Sequence, residues 1–209
     1  MLGDGLIDLT KDRTLLRTLY APPAGGFSIV EVPKLPFAVL DGDGPPVQAA
    51  IEPAVKALFT AIYPIRREAR QRAGKSFVEA PLEILYWAQD MRDLAAGNRE
   101  AWNWRVQITL PIWADADHLA RSVSDMQAEL QGAGPIRYDV TAEGRCVQTL
   151  HVGPPAGIPE TLARLYDDFL PRMGLEPEGR YHEVYLDDWS RVASDRCKII
   201  LRQPLRSAQ

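Results

Sequence analysis

The sequence predicts an α+β protein made of two repeated halves, and three observations carry that reading. Short β-rich runs alternate with stretches whose apolar residues step by three and four, the signature of strands interleaved with amphipathic helices. A Gly-Pro-Pro turn occurs twice, at Gly44 and at Gly153, and each time a helical stretch and then a strand with a glutamate and a tyrosine follow. The 209 residues suit one domain of two fused halves, long enough to bury roughly 70% of the unfolded surface without staples.

The elements follow in order. A short N-terminal segment carries Leu6, Leu9, Leu15, Leu16 and Leu19 and is broken by Pro22-Pro23-Ala24-Gly25-Gly26. Phe27 to Val32 and Phe37 to Asp41 read as strands, the second ending in the turn Gly42-Asp43-Gly44-Pro45-Pro46. Val47, Ile51, Ala54, Leu58, Ile62 and Ile65 then form one helical stripe, in which Pro64 must kink or end the regular part because it has no N–H and crowds the carbonyl four residues back. Gly74 closes the helix. Phe77 to Trp87 returns to strand character, with Pro81 suggesting an edge or bulge, and Gly97-Asn98 marks a loop. Trp102 to Leu110 alternates cleanly. A second helix opens at Asp115 and Asp117, runs through Leu119, Val123, Met126 and Leu130, and stops at Gly132 and Gly134. Ile136 to Thr141 and Arg145 to Val152 read as a hairpin through Glu143-Gly144. Pro159 suits the first turn of a third helix with Leu162, Leu165, Phe169 and Met173 on its apolar side. Tyr181 to Asp187 and Cys197 to Gln203 are the last strands, and the tail after Pro204 reads as loose. The repeat divides the chain into halves at about 27–96 and 100–205, and two such halves would set their glutamate strands around a common pseudo-twofold axis.

Composition excludes several classes. The 28 acidic against 24 basic residues, a net charge of −4, argue against a nucleic-acid groove or an anionic-membrane binder. No apolar run of about 18 residues could span a bilayer, and the acidic start lacks the order of a signal peptide, so the chain reads as cytoplasmic. Cys146 and Cys197 read as reduced thiols, and His118, His151 and His182 are too scattered for a ligand cluster, so neither a metal nor a cofactor is expected. No serine elbow, P-loop or dinucleotide fingerprint appears. The 17 prolines and five tryptophans stand out. Four prolines fall in the paired turns, and Pro81 and Pro159 sit at the starts of the elements that follow.

The chemistry centres on the strand Tyr181-His-Glu-Val-Tyr-Leu-Asp187. Alternation puts Tyr181, Glu183, Tyr185 and Asp187 on one face and His182, Val184 and Leu186 on the other, which should meet the helices. In the first half, Glu83, Leu85 and Trp87 share a face. With Tyr63, Trp102 and Trp104 these residues would build an aromatic-walled cavity holding one or two acids, suited to flat and cationic molecules. Two blander readings stand beside it. The Tyr-x-Glu-x-Tyr strand is also the pattern of a solvated sheet face, and Trp102 and Trp104 suit the core between sheet and helix better than a pocket, because large aromatics fill that space. His182 reads as a buried structural histidine.

The motifs resemble a known family. Ser28-Ile-Val-Glu-Val-Pro33 with Phe37-Ala-Val-Leu-Asp-Gly42, Pro81-Leu-Glu-Ile-Leu-Tyr-Trp87, Trp102-Asn-Trp104, Cys146-Val-Gln-Thr-Leu-His-Val-Gly-Pro154, His182-Glu-Val-Tyr-Leu-Asp187 and Ile200-Leu-Arg-Gln-Pro204 are similar to the stand-alone GyrI-like small-molecule-binding proteins over roughly residues 20 to 205. The resemblance implies a duplicated β-α-β-β unit forming a curved antiparallel sheet with helices on one face and a central ligand cleft. It implies Glu183 as the ligand-facing acid, with aromatic neighbours, and places Glu83 and Trp87 in the matching motif of the other half. One departure is that Ile84 and Tyr86 stand where the family motif has Gly and Trp, which changes pocket width and stacking. The implied function is promiscuous binding of planar aromatic or cationic small molecules. One alternative is a hydrolase that opens cyclopropane-containing DNA-alkylating natural products, with Glu183 activating or positioning water. Another is a gyrase-modulating protein. Without a preceding helix-turn-helix, direct DNA binding is not expected, and the sequence does not specify the oligomeric state.

Overall fold

The structure is a computed structural model and describes residue 6 and residues 12–74, 78–89, 99–188 and 191–208. Leu9, the expected strand start at Phe77 and the loop at Gly97-Asn98 lie outside the described residues. The chain forms two compact units. One contains Lys34–Thr141, and the other joins Asp12–Pro33 to Ala142–Gln209.

The second unit begins with helix α1 (Arg13–Tyr20) and strand β1 (Ser28–Val32). The Asp12 carboxylate caps α1 by accepting from the Leu15 N–H at 2.8 Å, satisfying one of the donors a helix start leaves open.

The first unit comprises β2 (Leu35–Asp43), α2 (Gln48–Ala61), α3 (Tyr63–Ala73), β3 (Leu82–Ala88), β4 (Trp102–Thr109), α4 (Ala116–Asp125) and β5 (Arg137–Thr141). The stripe read as one helix is two. It breaks at Ile62, so that Pro64 falls in the first turn of α3, where a missing N–H costs nothing. Helix α4 is capped by Asp115 as expected but ends at Asp125, before Met126 and Leu130.

The second unit resumes with β6 (Gly144–Val152) and helix α5. Helix α5 runs from Ile158–Ala163 through a π-helical stretch, Arg164–Phe169, to Leu170–Arg172. The widened turn precedes Pro171, whose ring cannot supply the regular hydrogen bond. Strands β7 (Leu175–Pro177), β8 (Tyr181–Tyr185) and β9 (Lys198–Ser207) complete the unit. The tail expected to be loose after Pro204 is instead the end of β9. It pairs with β7, a strand absent from the sequence reading, and buries Leu205.

The fold is α+β, with antiparallel strand pairing throughout both units. Each unit repeats one topology. In the first, the strands order β3-β4-β2-β5, and in the second β8-β9-β6-β1, so each is a β-α-β-β unit plus an added edge strand, and the second also carries β7 against β9. The hairpin expected at Glu143-Gly144 does not form. Strand β5 pairs with β2, whereas β6 pairs with β1 and β9, because the chain crosses from one unit to the other at Thr141. Among the described residues no helix is long and apolar enough to cross a membrane.

Candidate functional site

Strand β8 places Glu183 between its two phenols. The carboxylate is 8% exposed, and it accepts from Tyr181 Oη at 2.9 Å and from Tyr185 Oη at 2.5 Å. Alternation at two residues per period brings all three to one face, as the sequence reading has it. Pairing then fixes which face that is. Glu183 is opposite Leu201 and Thr149 is opposite Leu201 on its other side, so Val147, Thr149, His151, Leu201 and Gln203 share the face of Glu183.

That face is covered by α5, whereas the expectation sets the helices against His182 and Val184, a face that, among the described residues, α1 alone is seen to meet. Tyr166 of α5 donates to Gln203 Oε1 at 2.8 Å, and Thr161 lies 3.5 Å from His151 Nδ1. Val147 and Leu205 of the strands pack with Leu165 and Leu170 of the helix. Burial pushes the Tyr166 phenol up, so it stays a neutral donor. The expectation failed because this strand has chemistry on both faces, so apolar content does not show which one a helix will cover.

The opposite face is a buried ion network under α1. His182 Nδ1 lies 2.9 Å from Glu143 Oε1, and Arg202 Nη1 donates to Glu143 Oε2 at 3.3 Å. Arg202 also donates to the Leu19 carbonyl at 2.8 Å and to Gln148 Oε1, while Gln148 Nε2 donates to the Thr18 carbonyl at 2.7 Å. Burial alone would raise the Glu143 carboxyl, but the charge and hydrogen bonds of His182 and Arg202 outweigh it and hold the group at about 2. His182 is therefore a structural partner, and the network fastens the last turn of α1 to the sheet. The sequence reading missed Glu143, assigning it to a turn, and Arg202. The signal lies in the register, which only the folded sheet reveals: His182 and Arg202 are cross-strand partners. Burial, with the nearby Glu143 charge, pushes the Cys146 thiol up, so it is no nucleophile.

In the first unit, Trp102 and Trp104 lie on one face with Tyr86, Ile84 and Val106, whereas Glu83, Leu85 and Trp87 lie on the other with Gln107 and Arg105. The tryptophan face is the helix-covered one. Leu40 shares it and packs beneath Gly134, after α4, and Ser122 of α4 donates to the Ala61 carbonyl of α2 at 2.6 Å. The predicted site residues of this unit are thus split. Trp102 and Trp104 come together, with Tyr86 set edge-on to Trp102 at 5.9 Å. Glu83 is held on the far face by Gln107 Nε2 at 2.9 Å and Thr109 Oγ1 at 3.4 Å. Tyr63 opens α3 and is 52% exposed.

Counting back from the two Gly-Pro-Pro turns, the cross-strand rows of the units can be matched. Leu40, Val106 and Ile84 correspond to Thr149, Leu201 and Glu183, and Val39, Gln107 and Glu83 to Gln148, Arg202 and His182. The counterpart of Glu183 is therefore Ile84, and Glu83 is the counterpart of His182.

The family model for the GyrI-like small molecule binding domain matches residues 27–204, and the chain belongs to that family. Solved structures agree. It is similar to an uncharacterized conserved protein from Listeria innocua, with 27% identity, 91% of this chain and 96% of that one covered, and a TM-score of 0.77. It is also similar to two hydrolases from Listeria innocua. One is 25% identical, with 92% and 97% covered and a TM-score of 0.74; the other is 26% identical, with 91% and 96% covered and a TM-score of 0.73. No curated protein matches the chain.

Proposed function

We propose that the protein binds planar aromatic and cationic small molecules, with Glu183 as the charge partner and Tyr181 and Tyr185 as its flanking aromatic groups. The observation that carries this reading is a nearly buried carboxylate bracketed by two phenols of its own strand. A desolvated acid attracts a cation more strongly than an exposed one, and each aromatic contact adds about 0.5–2 kcal/mol. Because stacking makes small directional demands, such a site accepts many ring systems. Titration with a cationic fluorescent dye and a neutral one of similar shape tests it. Glu183→Gln should weaken the cationic dye about tenfold and leave the neutral one within twofold. Equal losses for both, or none for the cation, would remove Glu183 from the role.

A second reading is favoured by the two hydrolases among the similar structures. In it the same carboxylate positions water for opening a strained cyclopropane in an alkylating natural product. Incubation with such a compound and mass spectrometry for a water adduct decides it: catalytic accumulation of adduct, lost in Glu183→Gln, supports hydrolysis, and no adduct leaves binding alone.

A further inference from the structure

We propose that Trp104 is a ligand-recognition residue of the first unit, its indole Nε1–H donating to the neutral carbonyl oxygen of a planar aromatic molecule beside Tyr86 and Trp102. Trp104 is 5% exposed, and its Nε1 has no hydrogen-bond partner among the described residues. Four other buried polar side chains among the described residues are paired: Gln107 with Glu83, Ser122 with Ala61, Gln148 with Thr18 and Gln203 with Glu178. A buried donor without an acceptor loses its hydration for no return, which is why native interiors hold few.

The sequence nevertheless makes room for this ring. Gly42 is the cross-strand partner of Trp104, and a Cβ there would stand 2.1 Å from Trp104 Cζ2, so only glycine lets the indole lie across β2. Filling space needs no N–H: a leucine or phenylalanine would do so without stranding a donor. In the matching row of the second unit the same positions are His151 and Ile199, and the polar group there is satisfied, with His151 Nε2 3.0 Å from the Pro154 carbonyl.

The surroundings select the acceptor. The strand neighbours of Trp104 on this face include Ile84, Val106, Leu40, Tyr86 and Trp102, which carry no charge and offer a carboxylate or phosphate no ion-pair partner. A carbonyl on an aromatic frame brings an acceptor without a charge. Its ring can stack or sit edge-on as Tyr86 and Trp102 do with each other. The proposal does not involve Glu183.

The test titrates the full chain with 9-fluorenone and with fluorene, which share a ring frame and differ by the carbonyl, while the 15N-labelled indole resonances are followed. Wild type should prefer fluorenone about tenfold, and fluorenone alone should move the Trp104 Nε1–H resonance downfield. Trp104→Phe should abolish the preference and leave fluorene within about twofold. Equal affinities, no fluorenone binding, a preference that survives Trp104→Phe, or the same resonance shift with both compounds would overturn the proposal. If Trp104→Phe does not fold, the wild-type resonance decides. A cationic dye run in parallel separates this from the Glu183 reading. Glu183-dependent dye binding with no fluorenone preference sinks only the Trp104 assignment, and the reverse sinks only the other.

Discussion

The two units share one strand topology and distribute charge across it in opposite ways. In the second, the acid Glu183 is on the face under α5, and the cationic row of His182 and Arg202 is on the face under α1. In the first, the helix-covered row is Leu40, Val106 and Ile84, and the acid, Glu83, is on the other face with a glutamine opposite it. Shifting an acid by one strand position moves it through the sheet. Topology was therefore retained between the units while each face acquired its own chemistry. A charge pair buried in the second unit corresponds to a neutral amide and acid in the first.

The largest expected effect breaks that contrast at Glu143. Glu143→Gln removes the carboxylate charge beside the buried Arg202 and His182 and should destabilise the protein by about 3 kcal/mol or more, whereas Gln107→Leu in the matching row of the first unit should cost about 1–2 kcal/mol. Urea unfolding of both variants compares them, and equal losses would mean that the two rows are energetically alike. The pH dependence is the next test. The Glu143 carboxyl is depressed from 4.5 to about 2 in the folded state. Its contribution is therefore complete above about pH 4.5 and is lost as pH falls toward 2, a change of at most about 3 kcal/mol. Thermal unfolding between pH 6 and pH 2.5 should show a steep decline that Glu143→Gln flattens. A third test concerns Gly42. Gly42→Ala should displace the Trp104 indole, cost about 1–3 kcal/mol and shift tryptophan fluorescence. Unchanged stability and emission would show that the ring yields without strain.

Much of the fold was legible in the chain. The Gly-Pro-Pro turns, the stripe from Val47 to Ile65 and the alternation in Trp102 to Leu110 are local patterns, and local sterics and periodicity decide them. Tyr181, Glu183 and Tyr185 were placed on one face for the same reason. The hairpin at Glu143-Gly144 failed because a turn-forming dipeptide says nothing about which strand pairs with which. Two strands close in sequence instead joined different units.

The sequence by itself determined the α+β class, the duplicated order of elements, the family and the phenol-flanked acid. Only the tertiary structure decided which face of each sheet the helices cover, that Glu83 matches His182 and not Glu183, and that Glu143 and Arg202 lock α1 down. The physical reason is that strand register and helix placement are set by contacts among residues far apart in the chain, and a period of two is blind to which of its two faces will be buried.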